Sequence, residues 1–563
     1  MGTAQISPPA AVKTTSLKAS EPPRVPWWQS TFSLAMIGQV VLWAAFPPLE
    51  WAPLAWLAPV PWIWLARQSQ LGGRRPYRAL WLSSFLFHAA LFYWVTLPHP
   101  ATSIGLVALA FYLALYFPLF IGLTRVAVHR LNVSVVLAAP VIWTGLELAR
   151  AYLLTGFGMG SIAHTQYRWP LVVQLSDTFG GYGVSFLVIL VAASLARMLP
   201  CERAVRVWWP VLPLGASLAL ALAYGQWRLS EQTTEPGPKV ALIQGSIDID
   251  MKYDPKEAQR ITDEYFGLSQ RAVKEHPDVD LIVWPETMFR DPWFLFDGDF
   301  KPPADSQWTP AEAEASSHNH VKHLAELLKA PVLLGIDTIH YKAAGFDHYN
   351  TALLVDRAGQ PAGRYDKCHL VPFGEYVVFA ETFPWLYKLT PLPSGTKAGT
   401  GPQAFDVGDT SFAPSICYEN TLSHFIRGQV STLKAAGREP EVLVNLTNDG
   451  WFWGSTELDM HLACAVFRAI ECRKPMLIAA NTGFSAVIDS NGRIVAQGPR
   501  RATDVLVERV SIDRRSSPYL LLGDWPLGIC LLATVAVLLV GLRDRFSERK
   551  RAREARRSAL ATA

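Results

Sequence analysis

The feature that most constrains this chain is a series of apolar segments close to the 20 or so residues that cross a bilayer as a helix. Seven lie in the first 230 of the 563 residues and one lies near the C-terminus. Their approximate bounds are 27–47, 52–66, 79–97, 102–124, 134–154, 177–198, 208–226 and 518–541. One such segment could be a buried core helix, but seven in succession indicate a membrane domain. The sequence therefore predicts a membrane α-helical bundle of about eight transmembrane helices.

The charges between these segments predict their orientation. Arginine is concentrated in three connecting loops, at 67–78, 125–130 and 197–207. Because basic loops stay in the cytoplasm, we expect a disordered cytoplasmic N-terminus over 1–26 and a seven-helix domain over 27–227. The seventh helix then ends outside. A C-terminal helix at 516–542 returns the chain, so the basic tail 543–563 is expected in the cytoplasm.

Residues 228–515 differ in character from the rest of the chain. Charged residues, proline, glycine and asparagine return, and short apolar runs typical of buried strands appear. These runs are 239–245, 280–286, 330–337, 349–356, 441–449, 475–481 and 484–490. Helix-like stretches such as 256–275 and 316–329 separate several of them, which predicts an α/β domain with central sheets. The topology places this domain outside the cytoplasm.

The composition argues against several other functions. The formal net charge is +4 over the whole chain, so it gives no basis for nucleic-acid binding. The six cysteines show no paired CxxC spacing, which argues against a thiolate metal site or a disulfide framework. We predict no metal, no cofactor and no nucleic-acid partner.

Three reactive side chains follow strand-like runs. Glu286 ends "LIVWPE", Lys367 lies in "GRYDKCHLVPFGEY", and Cys417 ends "FAPSIC". A carboxylate can take the proton of a thiol, and a lysine can hold the oxyanion formed when the thiolate attacks a carbonyl. Each residue alone also has an ordinary structural explanation. Glu286 could cap a helix or form a salt bridge, Lys367 could be a surface lysine, and Cys417 could be a small buried hydrophobic residue.

The sequence motifs around these residues resemble a superfamily and, more narrowly, one family. "WPE", "YDKCHLVPFGEY" and "ICYE" resemble the nitrilase superfamily, which implies a four-layer α-β-β-α sandwich and a Glu-Lys-Cys triad. "HLVPFGEYV", "NLTNDGWF" and "QGSI…KYDP", together with the flanking membrane helices, are similar to apolipoprotein N-acyltransferases. That resemblance implies Glu286 as general base, Cys417 as acyl-carrying nucleophile and Lys367 beside the tetrahedral intermediate. Three supporting residues follow from it: Glu375, Tyr418 and Glu419.

Apolar loops near the triad segments are expected to contact lipid. They are "FRDPWFLF" (289–296), "VVFAETFPWLY" (377–387) and "GWFWG" (450–454). The predicted substrate-binding residues are Tyr253, Trp293, Phe294, Trp385, Asn448 and Trp451. Tyr253 stands where the family often has tryptophan, so altered substrate contacts are expected there. The alternative is that these aromatic residues pack within their own domain.

The resemblance implies a ping-pong acyl transfer through a Cys417 thioester. The donor would be a membrane phospholipid, and the acceptor would be the amino group of the diacylglyceryl-cysteine of an apolipoprotein. The expected location is the bacterial inner membrane, with the catalytic domain in the periplasm and the protein a monomer. Two alternatives stay open: a membrane-tethered nitrilase-type amidase using water, and a transporter or binding protein with a degenerate nitrilase-like domain.

Overall fold

The computed structural model describes residues 26–202, 206–231, 233–252, 254–303, 305–380, 382–389 and 395–561. Tyr253 and the N-terminal segment before residue 26 were the subject of predictions above and lie outside the described residues.

Helices make up the first part of the described chain. They are α1 (Thr31–Ala45), α2 (Leu54–Leu57), α3 (Val60–Arg67), α4 (Pro76–Leu91), α5 (Thr102–Ala114), α6 (Tyr116–His129), α7 (Val135–Tyr152), α8 (Pro170–Val173), α9 (Ser176–Met198) and α10 (Val211–Ser230). The apolar segment at 52–66 is divided into α2 and α3. Pro59 and Pro61 lie at the break, and proline lacks the N–H that a continuing helix would need.

Four helical stretches of the described chain are long and apolar enough to cross a membrane. They are Thr102–His129, Val135–Thr155, Ser176–Met198 and Trp525–Ala561. The α1 helix is apolar but shorter. The structure therefore confirms an apolar helical region, whereas the count of eight transmembrane helices stays a prediction.

The second part of the chain is built from strands and five further helices. The strands are β1 (Thr234–Gln244), β2 (Leu281–Val283), β3 (Phe289–Phe296), β4 (Val332–Lys342), β5 (Gly345–Val355), β6 (Pro361–Asp366), β7 (Phe405–Val407), β8 (Thr410–Ile416), β9 (Val442–Thr447), β10 (Met476–Ala480), β11 (Ala486–Ile488), β12 (Ile494–Gln497) and β13 (Asp504–Asp513). The helices are α11 (Ile249–Lys252), α12 (Ala258–Glu275), α13 (Pro310–Leu328), α14 (Ser423–Ala435) and α15 (Glu457–Cys472).

The strands form two sheets that pack face to face. One has the order β13-β1-β2-β4-β5-β6, with β3 also paired to β4, and the other has the order β12-β11-β10-β9-β8-β7. Val240 and Leu333 from the first sheet share one buried core with Val444 and Leu477 from the second. On its outer face the first sheet packs against α12 and α13, and the second packs against α14 and α15. These layers form an α-β-β-α sandwich, as predicted.

The C-terminal helices are α16 (Pro518–Leu522) and α17 (Trp525–Ala561). The long α17 helix returns to the membrane helices and packs on α7. A Cβ at Gly145 of α7 would lie 2.3 Å from the Thr534 hydroxyl oxygen, so glycine permits the close approach of these two helices.

Buried ion pairs join the two parts of the molecule. Asp177 on α9 accepts hydrogen bonds from Arg228 Nε of α10 at 2.7 Å and from Arg473 Nη2, just after α15, at 2.6 Å. The Asp177 and Arg473 side chains are fully buried. Because an unpaired buried charge is strongly destabilising, this cluster opposes separation of the two-sheet domain from the preceding helices.

One predicted loop is wrong. Residues 289–296 form the strand β3, which pairs in parallel with β4 from Phe289 to Phe296. Trp293 is only 4% exposed and stacks on His318 with ring centroids 4.2 Å apart. The segment gains ladder hydrogen bonds and buries a large aromatic ring, and Trp293 is thereby withdrawn from a lipid surface.

Candidate active site

Three strands of the two sheets end at one place and bring the predicted triad together. Glu286 follows β2 of the first sheet, Lys367 follows β6 of the same sheet, and Cys417 follows β8 of the second. The site therefore lies between the two sheets at their common edge. Strand ends place polar side chains there without interrupting the buried ladders.

Glu286 is held from three directions. Its Oε1 accepts from Asn350 Nδ2 at 2.6 Å and lies 3.4 Å from Lys367 Nζ, and its Oε2 accepts from the Asn448 backbone N–H at 3.0 Å. The residue is 8% exposed. These contacts fix the carboxylate in one orientation, as a general base requires.

Lys367 lies between two carboxylates. Its Nζ donates to Glu375 Oε1 at 2.9 Å and contacts Glu286 Oε1 at 3.4 Å. Burial opposes the charged form, but Glu375 and Glu286 raise the pKa of Lys367 well above its ordinary value. The ammonium therefore persists in a nearly dry site, where its electrostatic effect on an oxyanion is strongest. Glu375 is itself held by the Val371 N–H at 2.8 Å.

Cys417 occupies a tight turn directly after β8. Its φ of +51° lies in the left-handed region, which costs a non-glycine residue roughly 1–2 kcal/mol. Burial and the Glu286 carboxylate raise the pKa of the Cys417 thiol well above its ordinary value, while Lys367 acts in the opposite direction. The resting sulfur is therefore a thiol, and its nucleophilic form requires transfer of a proton to a base.

Glu419 connects the segment after Lys367 to the nucleophile turn. It is fully buried, and its carboxylate accepts from the backbone N–H groups of Cys368, His369 and Ile416 at 2.7–2.8 Å. The Tyr365 hydroxyl also donates to it. Burial raises the pKa of Glu419 to about 7, although the backbone hydrogen bonds act against this shift. Its predicted supporting role is consistent with this position.

Tyr418 connects the site to the membrane helices. Its hydroxyl donates to the Gly156 carbonyl oxygen at 2.8 Å, and Gly156 lies in the loop after α7. Its ring stacks on His369 with centroids 6.0 Å apart. The residue following Cys417 thus contacts the loop after α7.

The other predicted substrate-binding residues occupy different environments. Trp385 lies in the segment after Glu375 and is 57% exposed. Phe294, like Trp293, belongs to β3. The Asn448 side chain is buried and accepts from Gly450 N, so this residue reaches the triad through its backbone N–H. Trp451 is half-buried in a short 3₁₀ helix after β9.

Sequence reasoning missed two residues of the site. Asn350 on β5 donates to Glu286 and, at 3.4 Å, to Glu375. Lys252 is buried, and its Nζ donates to the Thr287 hydroxyl beside Glu286. Burial lowers the pKa of Lys252 to about 8, against the opposing effects of Asp337 and Glu286. In the "KYDP" segment the family resemblance drew attention to Tyr253. Nothing in the sequence pattern marked Lys252, the first residue of that segment, as part of the site.

A histidine and two carboxylates lie behind Cys417. Asp449, Glu457 and His461 each offer one atom of a type that binds metals, within 4.8 Å of one another. His461 directs Nε2 to the Cys417 carbonyl oxygen at 3.2 Å and Nδ1 to Asp449 Oδ1 at 3.3 Å. Both ring nitrogens of His461 are thus engaged in contacts with protein atoms. The expectation that the protein binds no metal stays a prediction.

Comparison with known proteins identifies the class of enzyme to which the fold belongs. A carbon-nitrogen hydrolase family model matches residues 239–517, and an apolipoprotein N-acyltransferase N-terminal domain model matches residues 39–194. The sandwich is therefore that of a nitrilase-like enzyme. The structure also resembles that of Nit3, a nitrilase-superfamily protein of Saccharomyces cerevisiae, at 18% identity and a TM-score of 0.35, covering 50% of this chain and 93% of that one.

Two relatives identify the family more narrowly. An apolipoprotein N-acyltransferase of Geobacter metallireducens is 32% identical, with 91% of this chain and 96% of that protein covered. An apolipoprotein N-acyltransferase of Rhodopirellula baltica is 30% identical over the same shares. The chain belongs to the apolipoprotein N-acyltransferase family.

Proposed function

We propose that this enzyme moves a fatty acyl chain from a membrane phospholipid to the N-terminal amino group of a diacylglyceryl-modified apolipoprotein, with Cys417 carrying the acyl group in between. The observation that carries the proposal is the convergence of Cys417, Glu286 and Lys367 in a chain that matches N-acyltransferases over 91% of its length. A hydrolase using water is not favoured, because the match to N-acyltransferases includes residues 39–194, a helical region that a soluble amidase does not need.

In the first half-reaction Glu286 takes the thiol proton and Cys417 Sγ attacks the ester carbonyl carbon of the phospholipid. The carbonyl oxygen becomes an oxyanion, stabilised by Lys367 Nζ and by the N–H of Tyr418. When the intermediate collapses, the C–O ester bond breaks and the lysophospholipid leaves with the proton from Glu286. The product on the enzyme is a thioester.

In the second half-reaction the neutral α-amino group of the apolipoprotein attacks the thioester carbon. Glu286 accepts a proton from the amine, and the same two donors stabilise the oxyanion. The C–S bond then breaks, the thiolate of Cys417 regains its proton from Glu286, and an amide is released. No net proton is consumed, and the one carboxylate serves both half-reactions.

The proposal places the membrane boundary at the edge of the sandwich. We assign residues 27–227 to seven transmembrane helices, 516–542 to an eighth, 228–515 to a periplasmic catalytic domain and 543–563 to a cytoplasmic tail in the bacterial inner membrane. Helices coincide with all eight apolar segments, and the arginine-rich loops alternate as described above. We further propose that the enzyme acts as a monomer without a nucleic-acid partner.

An exposed aromatic segment next to the triad supports this placement. Phe373, Phe379, Phe383 and Trp385 are each at least 50% exposed, although large apolar side chains are usually covered in water. They follow Lys367 closely in sequence. We propose that this segment contacts the outer leaflet and guides acyl chains toward Cys417.

The test is intact mass of the purified protein after incubation with phospholipid. The wild type is expected to gain one fatty acyl group that hydroxylamine removes, and Cys417→Ala is expected to gain none. A diacylglyceryl lipopeptide should then discharge the wild-type adduct and acquire its mass. A wild type that stays unacylated while an alkylating reagent still labels Cys417 would contradict acyl transfer from phospholipid.

A further inference from the structure

His461 and Asp449 form a buried pair behind the nucleophile that the acyl-transfer steps above do not use. Both residues are 3% exposed. His461 lies in the first turns of α15, and Asp449 follows β9. The pair contacts the turn at Cys417 through the backbone, because the hydrogen bond of His461 is to the carbonyl oxygen of Cys417 rather than to the thiol.

The hydrogen bonds determine the protonation of His461. A carbonyl oxygen only accepts, so Nε2, which lies 3.2 Å from the Cys417 oxygen, must carry a proton. Nδ1 lies 3.3 Å from Asp449 Oδ1, and an ionised carboxylate also only accepts. Both contacts are satisfied together when both ring nitrogens donate, so they favour the imidazolium form of His461.

Charges around the pair agree with this assignment. Burial opposes ionisation, but the Asp449 carboxylate and the hydrogen bonds raise the pKa of His461. The other titratable groups facing it are Glu286 after β2, the Cys417 thiol and Glu457 on its own helix. Burial and Asp449 raise the pKa of Glu457 well above its ordinary value, which favours its neutral form, so the carboxylates that favour the charged form of His461 are Asp449 and Glu286.

The Cys417 carbonyl has a second buried donor. Asn445 Nδ2 lies 3.3 Å from the same oxygen, and Asn445 is fully buried on β9. Two donors, one of them cationic, thus fix an oxygen in a turn whose φ of +51° is itself unfavourable. Such a turn persists only where its surroundings hold it.

The fixed carbonyl determines where a neighbouring donor points. In a planar trans peptide the C=O of Cys417 and the N–H of Tyr418 belong to one rigid unit and point in opposite directions. Holding the oxygen toward His461 therefore fixes the direction of the Tyr418 N–H, which points away from His461. A charge-assisted hydrogen bond at the oxygen also polarises the amide and makes its N–H a stronger donor.

We infer that His461, charged by its pairing with Asp449, is a positioning residue that orients and polarises the Cys417–Tyr418 peptide so that its N–H stabilises the oxyanion in both half-reactions. The inference rests on the proposed function, since it concerns an oxyanion formed at an acyl carbonyl. It assigns to the pair a role in catalysis, although neither side chain contacts a substrate.

Two reactions of the same thiol separate this role from a structural one. Acylation by phospholipid passes through an oxyanion, whereas alkylation of Cys417 by iodoacetamide does not. Both depend on the thiolate and on access. The ratio of the acylation rate to the alkylation rate at one pH, each followed by mass at the Cys417 peptide, therefore isolates oxyanion stabilisation.

Removing one oxyanion-hole donor typically costs 10²–10³ in rate, and a misaimed donor should cost less. We expect His461→Leu to lower the ratio about tenfold. His461→Gln keeps an amide donor and should recover to within about threefold of the wild type. Cys464→Ala, on the same helix and without contact to the Cys417 carbonyl, is the matched control and should leave the ratio unchanged.

Several outcomes would overturn the inference. Equal losses in both rates for His461→Leu would show a structural role, and so would a glutamine variant no better than the leucine variant. If His461→Leu does not fold, Asp449→Asn takes its place: it should lower the ratio about threefold, and an unchanged ratio contradicts the inference. A wild type that is alkylated but never acylated would overturn the proposed function as well, which distinguishes the two failures.

Discussion

Replacing Glu419 with glutamine tests the connection between the Lys367 segment and the nucleophile turn. The Glu419 carboxylate is fully buried and its pKa is raised from 4.5 to about 7. Between those values the native state holds a proton that the unfolded state has released, so the free energy of unfolding falls as the pH rises through this window. The shift of about 2.5 units corresponds to about 3 kcal/mol.

Glutamine at this position should abolish that dependence and add a constant cost. The carboxylate accepts three backbone N–H groups, from Cys368, His369 and Ile416. A side-chain NH₂ must face at least one of these donors, which should cost about 1–3 kcal/mol at every pH. The free energy of unfolding of the variant should therefore fall furthest below that of the wild type near pH 5. Near pH 8 the difference between the two proteins should be smaller.

Tryptophan fluorescence during thermal unfolding in detergent measures the difference. For a domain of this size 1 kcal/mol corresponds to a Tm change of about 2 °C. The wild type should lose roughly 6 °C more than Glu419→Gln between pH 5 and pH 8. All other titrating groups are shared, so their contributions cancel. Parallel Tm curves for the two proteins would refute the assignment of this proton to Glu419.

Three further substitutions test the site and its surroundings. Lys367→Met should slow acyl-enzyme formation by about 10²–10³ through loss of the oxyanion partner, and a loss below tenfold, measured by single-turnover mass, would contradict its role. Phe379→Ser combined with Trp385→Ser should weaken acylation from vesicles while iodoacetamide labels Cys417 as in the wild type; unchanged acylation would argue against lipid contact. Trp293→Ser should lower the free energy of unfolding by about 3–5 kcal/mol, and a Tm equal to that of the wild type would be inconsistent with its burial.

An apolar run makes the strand before Glu286 visible in the sequence, whereas Lys367 follows the polar strand β6, "PAGRYD", so the three residues were predicted together from the motifs that resemble the nitrilase superfamily. The strand β3 escaped prediction because Arg290, Asp291 and Pro292 interrupt its pattern, and its pairing with β4 shifts register between Phe289 and Trp293. A pattern within one segment cannot show that a partner strand will accommodate such an irregularity.

Asn350 and His461 show a second limit of the sequence. Asn350 lies inside a correctly predicted strand, and its contact with Glu286 joins residues 64 positions apart. His461 lies on α15, 44 positions from the carbonyl that it contacts. Such contacts depend on how strands and helices pack together, whereas the family resemblance supplied only residues within short motifs.

The buried ion pairs of Asp177 with Arg228 and Arg473 have a kinetic consequence. A catalytic domain attached in this way does not swing out on a linker to collect its substrates, so both lipids must reach it by lateral diffusion. Encounter is then a two-dimensional search, governed by the mole fraction of each lipid in the leaflet rather than by its concentration in the sample. Diluting the membrane with inert lipid should slow turnover, whereas diluting the vesicles with buffer should not.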